Sequence, residues 1–387
     1  LIVIGFLLVT LIVGLIAGKG IKDIKDYAIA NKSYGTSVLL LTLLATAIGG
    51  GATIGDAAEV YDLGILYVIA SFGYIFGTLG FAYYFSPKID ARFQNMLSIS
   101  DMIKHFYGER AEKFSAIVGY VIGLIILSVQ MIALANFTSS VLKIPYATSL
   151  FMTAGIVVWY STSGGIRAVA ITDVLQFCVL IVMVPIIASV AVNAAGGFGA
   201  IFSIEEQNSN HLSIFDHPDY FEYLILFLFW SIPIAQFNPN VVQRFLMARN
   251  PQQVRNITYI YSIIQLPVLL MITFIAFAAL KLFPDANSKT IIPSIIGAHL
   301  PTYINSLAIC GMLAVIMSTA DSTLNSSSVL MAHNALPKNL FKSDRSKLNF
   351  MKLCTFITGL ISIVIAYQNY NIVKLMVVYH TLVKTTF

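Results

Sequence analysis

The sequence predicts an all-α integral membrane protein of about eleven transmembrane helices, in which one extra helix precedes two sets of five. The two sets read as a 5+5 inverted repeat with a broken first helix in each half. Three observations carry this reading. Hydrophobic residues fill 58% of the 387 positions and charged residues only 11%, where soluble domains carry roughly a quarter charged. Apolar stretches of about 20 residues, each able to cross ~30 Å of hydrocarbon, recur along the chain. Lys and Arg fall between these stretches in alternate loops, as the positive-inside rule demands.

Apolar runs bounded by Gly, Pro and charge place helices at 1–18, 37–60, 64–86, 114–142, 147–162, 165–194, 219–247, 254–283, 303–333, 350–368 and 371–387. Unpaired backbone groups are intolerable in lipid and the alternation of barrel strands is absent, so these runs are helical. Segments 98–107 and 290–300 are short and polar-flanked, and read as interfacial. The first run could imitate a signal-peptide core, but no basic stretch precedes it and no small-residue cleavage site stands before Lys19. It is read as a membrane helix with its N-terminus outside, in a cell inner or plasma membrane. A start at Leu1 and a stop at Phe387 are expected to reflect truncation at both ends.

With that orientation, the inside loops carry Lys19, Lys22, Lys25 and Lys32; Lys88, Arg92, Lys104, Arg110 and Lys113; Arg167; Arg244, Arg249 and Arg255; then Lys338, Lys342, Arg345, Lys347 and Lys352. The opposite loops hold almost only Lys143, Lys281 and Lys289. The net charge of +5 is therefore topological, and with no dense basic stripe a nucleic-acid partner is not expected. Cys178, Cys310 and Cys354 lie far apart in apolar segments and read as small hydrophobes. The domain reading is 1–33 for the extra helix and its loop, 34–218 for the first repeat with its outside loop, and 219–387 for the second. Five helices are an odd number, so the second set enters the membrane from the side opposite to the first.

The first helix of each set is interrupted, at Ile48-Gly-Gly-Gly-Ala-Thr-Ile-Gly55 and at Ser231-Ile-Pro-Ile-Ala-Gln-Phe-Asn-Pro-Asn240. Each glycine costs about 0.8–1 kcal/mol of helix stability against alanine, and each proline deletes a backbone donor. A polar ligand or ion at the break compensates for such losses in transporters; close packing at Gly/Ala and a proline kink are the plainer alternative. The ninth helix places Ser318, Thr319, Asp321, Ser322, Thr323, Asn325 and Ser326 inside an apolar span. Ser318 and Ser322 share a face, with Asp321 and Asn325 beside it. Hydroxyls and freed carbonyls suit a hard cation such as sodium, although Ser and Thr also bond their own helix or join neighbouring ones.

Three segments together resemble the sodium/solute symporter family of sugar, proline, pantothenate and sialic acid carriers: Ser318-Thr-Ala-Asp-Ser-Thr-Leu-Asn-Ser326, Gly164-Gly-Ile-Arg-Ala-Val-Ala-Ile-Thr-Asp-Val-Leu-Gln176 and Asn240-Val-Val-Gln-Arg244. The resemblance runs in order along essentially the whole chain and implies a leucine-transporter-like fold. It also implies a sodium-coupled symporter working in a lipid bilayer by alternating access. The sodium ion would rest on the carbonyls of Ala45, Ile48 and Val315 and the hydroxyls of Ser318 and Thr319. A second cation site, used by some members, would fall on Asp173, Asp321 and Ser322. The carboxylate at 321 departs from the family's all-hydroxyl version, so the pair could bind a cation more strongly or share a proton; alternatively one carboxylate pairs with Arg167.

By the same resemblance the solute lies at the breaks, with Gly49, Gly50, Gly51 and Ala52 on one side, Trp230, Phe237 and Asn240 opposite, and Gln130 nearby. Positions that hold polar sugar-contacting side chains are Gly51 and Ala52 here, which disfavours a polyol. Bare glycine amides at a helix start suit a carboxylate, so the expected solute is an amino acid or small organic acid. Asp56 and Glu59, one turn apart past the first break, read either as a cation vestibule or as a solvated helix end. No histidine spacing suggests zinc, no phosphate loop supports ATP-driven transport, and no catalytic constellation makes the chain an enzyme. The competing functions are a proton-coupled carrier and the solute-sensing domain of a larger receptor; paired midplane breaks argue against a channel.

Overall fold

The computed structural model describes residues 1–88, 95–202, 211–215, 217–233, 237–336 and 343–368. Among the described residues the chain is helical throughout, with no strand. In order, α1 (Ile2–Ala17) and α2 (Ile24–Ile29) lead to α3 (Thr36–Ala47), α4 (Asp56–Leu63) and α5 (Ile65–Gly80). Two long helices follow, α6 (Ile99–Leu142) and α7 (Tyr146–Ala194), then α8 (Phe198–Phe202), α9 (Tyr220–Ser231) and α10 (Pro239–Leu246). The remainder is α11 (Pro251–Leu282), α12 (Ile291–His299), α13 (Thr302–Val329) and α14 (Asp344–Tyr367).

Six helices are long and apolar enough to cross a membrane, and α3 with its continuation through α4 makes a seventh, bent by 54°. The first ten predicted segments fall on helix among the described residues, the seventh, 219–247, on α9 and α10 with 234–236 outside the described residues; the eleventh, 371–387, also lies outside them. A straight helix as long as α7 would extend ~74 Å, more than twice the hydrocarbon thickness. It breaks instead at Gly165, where φ is +49°, a conformation that favours glycine. A Cβ there would also strike Tyr27. Gly108, with φ +84°, similarly divides α6.

Hydrogen bonds gather the connections at two ends of the bundle. At one end Lys25 Nζ reaches Asn95 (3.2 Å), Arg167 reaches Asp26 (3.1 Å) and Arg249 Nε reaches the Lys32 carbonyl (3.1 Å). At the other, His211 joins Tyr61 (3.1 Å), Tyr61 donates to the Phe283 carbonyl (2.5 Å) and Lys281 donates to Ala200 (3.1 Å). The basic connections at 19–33, 167 and 249 therefore share an end, as their charge predicts. Apolar side chains such as Ile12, Trp159, Ile225 and Val364 are exposed, as they are on surfaces that face lipid.

α13 is the central helix. It packs against α7, α6, α14, α1, α3 and α10, and from Cys310 to Val329 only Thr319 is not buried. Lipid cannot solvate its polar residues, so neighbouring helices must.

Candidate ion and solute site

The first break forms where three glycines withdraw support from the helix. α3 ends at Ala47, Ile48 leaves helical geometry (φ −91°, ψ 52°), and helix resumes as a wide turn over Gly51–Gly55. Carbonyls in the last turn of α3 thus lose their helical donors. α13 crosses at this point. Ser318 Oγ lies 3.1 Å from the Ala45 carbonyl and 3.0 Å from the Val315 carbonyl, and Thr319 Oγ1 lies 3.2 Å from Val315 O. Ala45, Val315, Ser318 and Thr319 are therefore brought together, with Ile48 buried at the break itself. Gly49 permits the approach, since a Cβ on it would collide with Thr319 Oγ1. Neutral hydroxyl and carbonyl oxygens form a donor set that suits a hard monovalent cation.

A second cluster sits one helical turn further along α13 and is charged. Asp173 of α7 is fully buried and accepts from Arg244 Nη2 at 2.9 Å, while the same nitrogen donates to Ser322 Oγ at 2.6 Å. The Thr42 hydroxyl also donates to Asp173. Asp321 Oδ2 accepts from Tyr160 OH at 2.6 Å and from Thr172 at 3.4 Å. Asp173 Oδ1 is buried with no hydrogen-bond partner.

Two expectations are corrected here. Neither carboxylate pairs with Arg167, which bonds Asp26 at the end of the bundle. Arg244 is not a loop charge: it lies in α10, where Val241 through Leu246 are all buried. A guanidinium persists in that apolar setting because Asp173 neutralises it and the Ser322 and Thr42 hydroxyls accept hydrogen bonds from it. Sequence reasoning missed this because Arg244 lies close to the exposed basic connection and carries no local sign of its partner 71 residues away.

Beside the break lies a cavity of about 290 Å³ lined by Ala47, Ile48, Ala52, Asp56, Tyr67, Ser71, Tyr74, Ile75, Trp230, Gln265, Val268 and Leu269. Small-ligand sites begin near ~300 Å³. α9 comes close enough to supply Trp230 because α5 is bare there: a Cβ on Gly73 or Gly77 would strike the carbonyl of Phe227 or Trp230.

Of the predicted solute residues, Ala52 and Trp230 line this cavity. The Gln130 amide oxygen stands 3.5 Å from where a Cβ of Gly50 would be, and Gly51 has open space around it. Phe237 instead packs on Phe81 and Phe85, with centroids 5.6 and 5.9 Å away. Asn240 is spent on Thr323 (3.1 Å) and Ser326 (2.5 Å). Asp56, Tyr67, Tyr74 and Gln265 were missed as lining residues. A signal existed for α5, where 67, 71, 74 and 75 fall on one helical face.

A membrane-type helix broken at mid-length and crossed by buried hydroxyls defines a secondary-transporter architecture. The chain belongs to the sodium:solute symporter family, whose model matches residues 27–385. It is 26% identical to the high-affinity choline transporter 1 of Drosophila melanogaster, over 93% of this chain and 61% of that protein. It is 23% identical to the high-affinity proline transporter PutP of Bacillus subtilis (strain 168), over 95% of this chain and 80% of the relative. These relatives are transporters, not enzymes. The fold matches the substrate-bound outward-open state of a Na+-coupled sialic acid symporter with a TM-score of 0.84 at 20% identity, covering 95% of this chain and 81% of the other. The chain spans about three fifths of the Drosophila relative's length.

Proposed function

We propose that this chain is a sodium-coupled symporter of a small organic solute, working by alternating access between inverted halves 34–218 and 219–387. The supporting observation is the convergence of Ser318, Thr319 and the Ala45 and Val315 carbonyls at the break of α3. A sodium ion on these oxygens ties α3 to α13. Ile48, the residue at the break, also lines the solute cavity, so an ion that orders the break orders the cavity wall. The membrane is a cell inner or plasma membrane, with the start of α1 outside.

An amino acid or small organic acid fits the bare glycine break, whose amides at the start of a helical piece favour a carboxylate. The related carriers of choline and proline support a compact, nitrogen-bearing solute.

Titrating sodium against solute binding tests the coupling. Linkage is reciprocal, so sodium lowers the solute dissociation constant and solute lowers that of sodium by the same factor. Uptake with a solute dissociation constant indifferent to sodium would sink this reading and favour the proton-coupled alternative.

A second role is specific to the charged cluster. Arg244 supplies from within the chain the positive charge that a second cation would bring to Asp173 and Ser322, so those residues serve closure between α7, α10 and α13 rather than a second sodium.

A further inference from the structure

The cavity beside the break holds one acid and, among its lining residues, no Lys, Arg or His. The donors of Tyr67, Ser71 and Gln265 are already used. Tyr67 OH donates to Asp56 Oδ1 at 2.8 Å, and the Ser71 hydroxyl donates to the Tyr67 carbonyl at 2.9 Å. The Gln265 amide nitrogen donates to Tyr261 OH at 2.5 Å, which leaves Gln265 Oε1 buried and without a partner. What these side chains leave for a ligand is a carboxylate, an amide oxygen and aromatic surface with one neutral donor, the Trp230 indole N–H. The Tyr67 and Trp230 rings stand 6.1 Å apart at 89°, so they enclose a corner rather than a flat wall.

A free anion entering this space meets Asp56 with no side-chain cation to offset it. A cation meets a counter-charge, an unused acceptor and ring faces that attract positive charge within about 6 Å. Resting on the reading that this cavity takes the solute, we infer that the recognised head group is a positively charged amine or alkylated ammonium, held by Asp56 against the corner of Tyr67 and Trp230. Glycine amides at the break then serve a carboxylate only where the same solute also carries the ammonium. This separates the two solute classes left open above: zwitterions enter and simple organic acids do not.

Binding to the full-length protein in detergent with sodium present, followed by calorimetry, tests the assignment with three probes: tetramethylammonium chloride, glycine betaine and sodium acetate. Tetramethylammonium and betaine are expected to bind, and acetate not. Asp56→Asn weakens both by tenfold or more, while Asp56→Glu retains most of the affinity; a single sharp elution peak verifies that each variant is folded. Acetate binding without tetramethylammonium binding, or an Asp56→Asn variant with unchanged affinities, overturns the head-group assignment and leaves sodium coupling standing. Tetramethylammonium binding that is lost in Asp56→Asn yet is the same in sodium and in N-methylglucamine buffer upholds the assignment and overturns the symport reading.

Discussion

Two polar clusters lie one turn apart on α13 and meet their electrostatic needs in opposite ways. Around Ser318 the oxygens are neutral: two hydroxyls and two carbonyls, with no side-chain charge among them. Around Ser322 both signs are built in, with Asp173, Asp321 and the fully buried Arg244. Neutral oxygens that already satisfy one another can exchange those bonds for a mobile ion at modest cost, and release it again. A buried carboxylate cannot wait unpaired in the same way, because its desolvation amounts to several kcal/mol. The proposed symport therefore has its reversible ion binding at the neutral cluster, with a tethered charge at the other.

Removing the tether sharpens that contrast most. Arg244→Ala leaves Asp173 buried without a counter-charge, a loss of about 3–5 kcal/mol for a broken buried pair. The detergent-solubilised variant is expected to melt well below wild type, and Arg244→Met with Asp173→Leu to recover much of the loss. An Arg244→Ala protein that melts like wild type and binds one more sodium ion would show that the cluster is an ion site which the guanidinium merely occupies.

Ser318→Ala comes next. It deletes one oxygen and little volume, so stability changes by about 1 kcal/mol or less. The half-saturating sodium concentration for uptake rises at least about tenfold, equivalent to roughly 1.4 kcal/mol. Ser328→Ala is the matched control, since its hydroxyl bonds only the Leu324 carbonyl of its own helix (2.5 Å). Ser326 is unsuitable because it holds Asn240. Equal sodium shifts in the two variants would place the ion elsewhere.

Both groupings at α13 were expected from the family resemblance, Ser318 with Thr319 and Asp173 with Asp321 and Ser322, whereas the place of Arg244 among the latter was not legible, for a physical reason. Lipid as solvent forces apolar length and hidden polarity, so helices, the Gly49-Gly50-Gly51 interruption and the hydroxyls of α13 all stand out locally. The restart after Gly165 was readable in the same way, from paired glycines between two apolar runs. Partnership between distant side chains leaves no such trace. Arg244 looks like another positive-inside residue until α10 is seen buried against α13, and Asp56 reads as a cation vestibule or a solvated helix end until Tyr67 of α5 is seen bonded to it. Phe237 and Asn240 were placed at the solute by position along the break; packing sends one to Phe81 and the other to Thr323.

The smallest expected effect tests whether the break is tuned residue by residue. Gly49 and Gly51 belong to one triplet, and loss of helix-disfavouring glycine alone would make their alanine variants alike. Their surroundings differ: a Cβ at 49 meets the Thr319 hydroxyl, whereas one at 51 meets nothing within 4 Å. Gly49→Ala must displace Thr319 from Val315, so its half-saturating sodium concentration rises severalfold, approaching the Ser318→Ala value. Gly51→Ala gains a helix-favouring side chain in open space, so its stability stays within about 0.5 kcal/mol of wild type and its sodium dependence is unchanged. Equal sodium shifts in both variants would mean that flexibility of the break, rather than contact with α13, sets the ion affinity, and the distinction between a neutral exchangeable cluster and a fixed charged one would lose its structural basis.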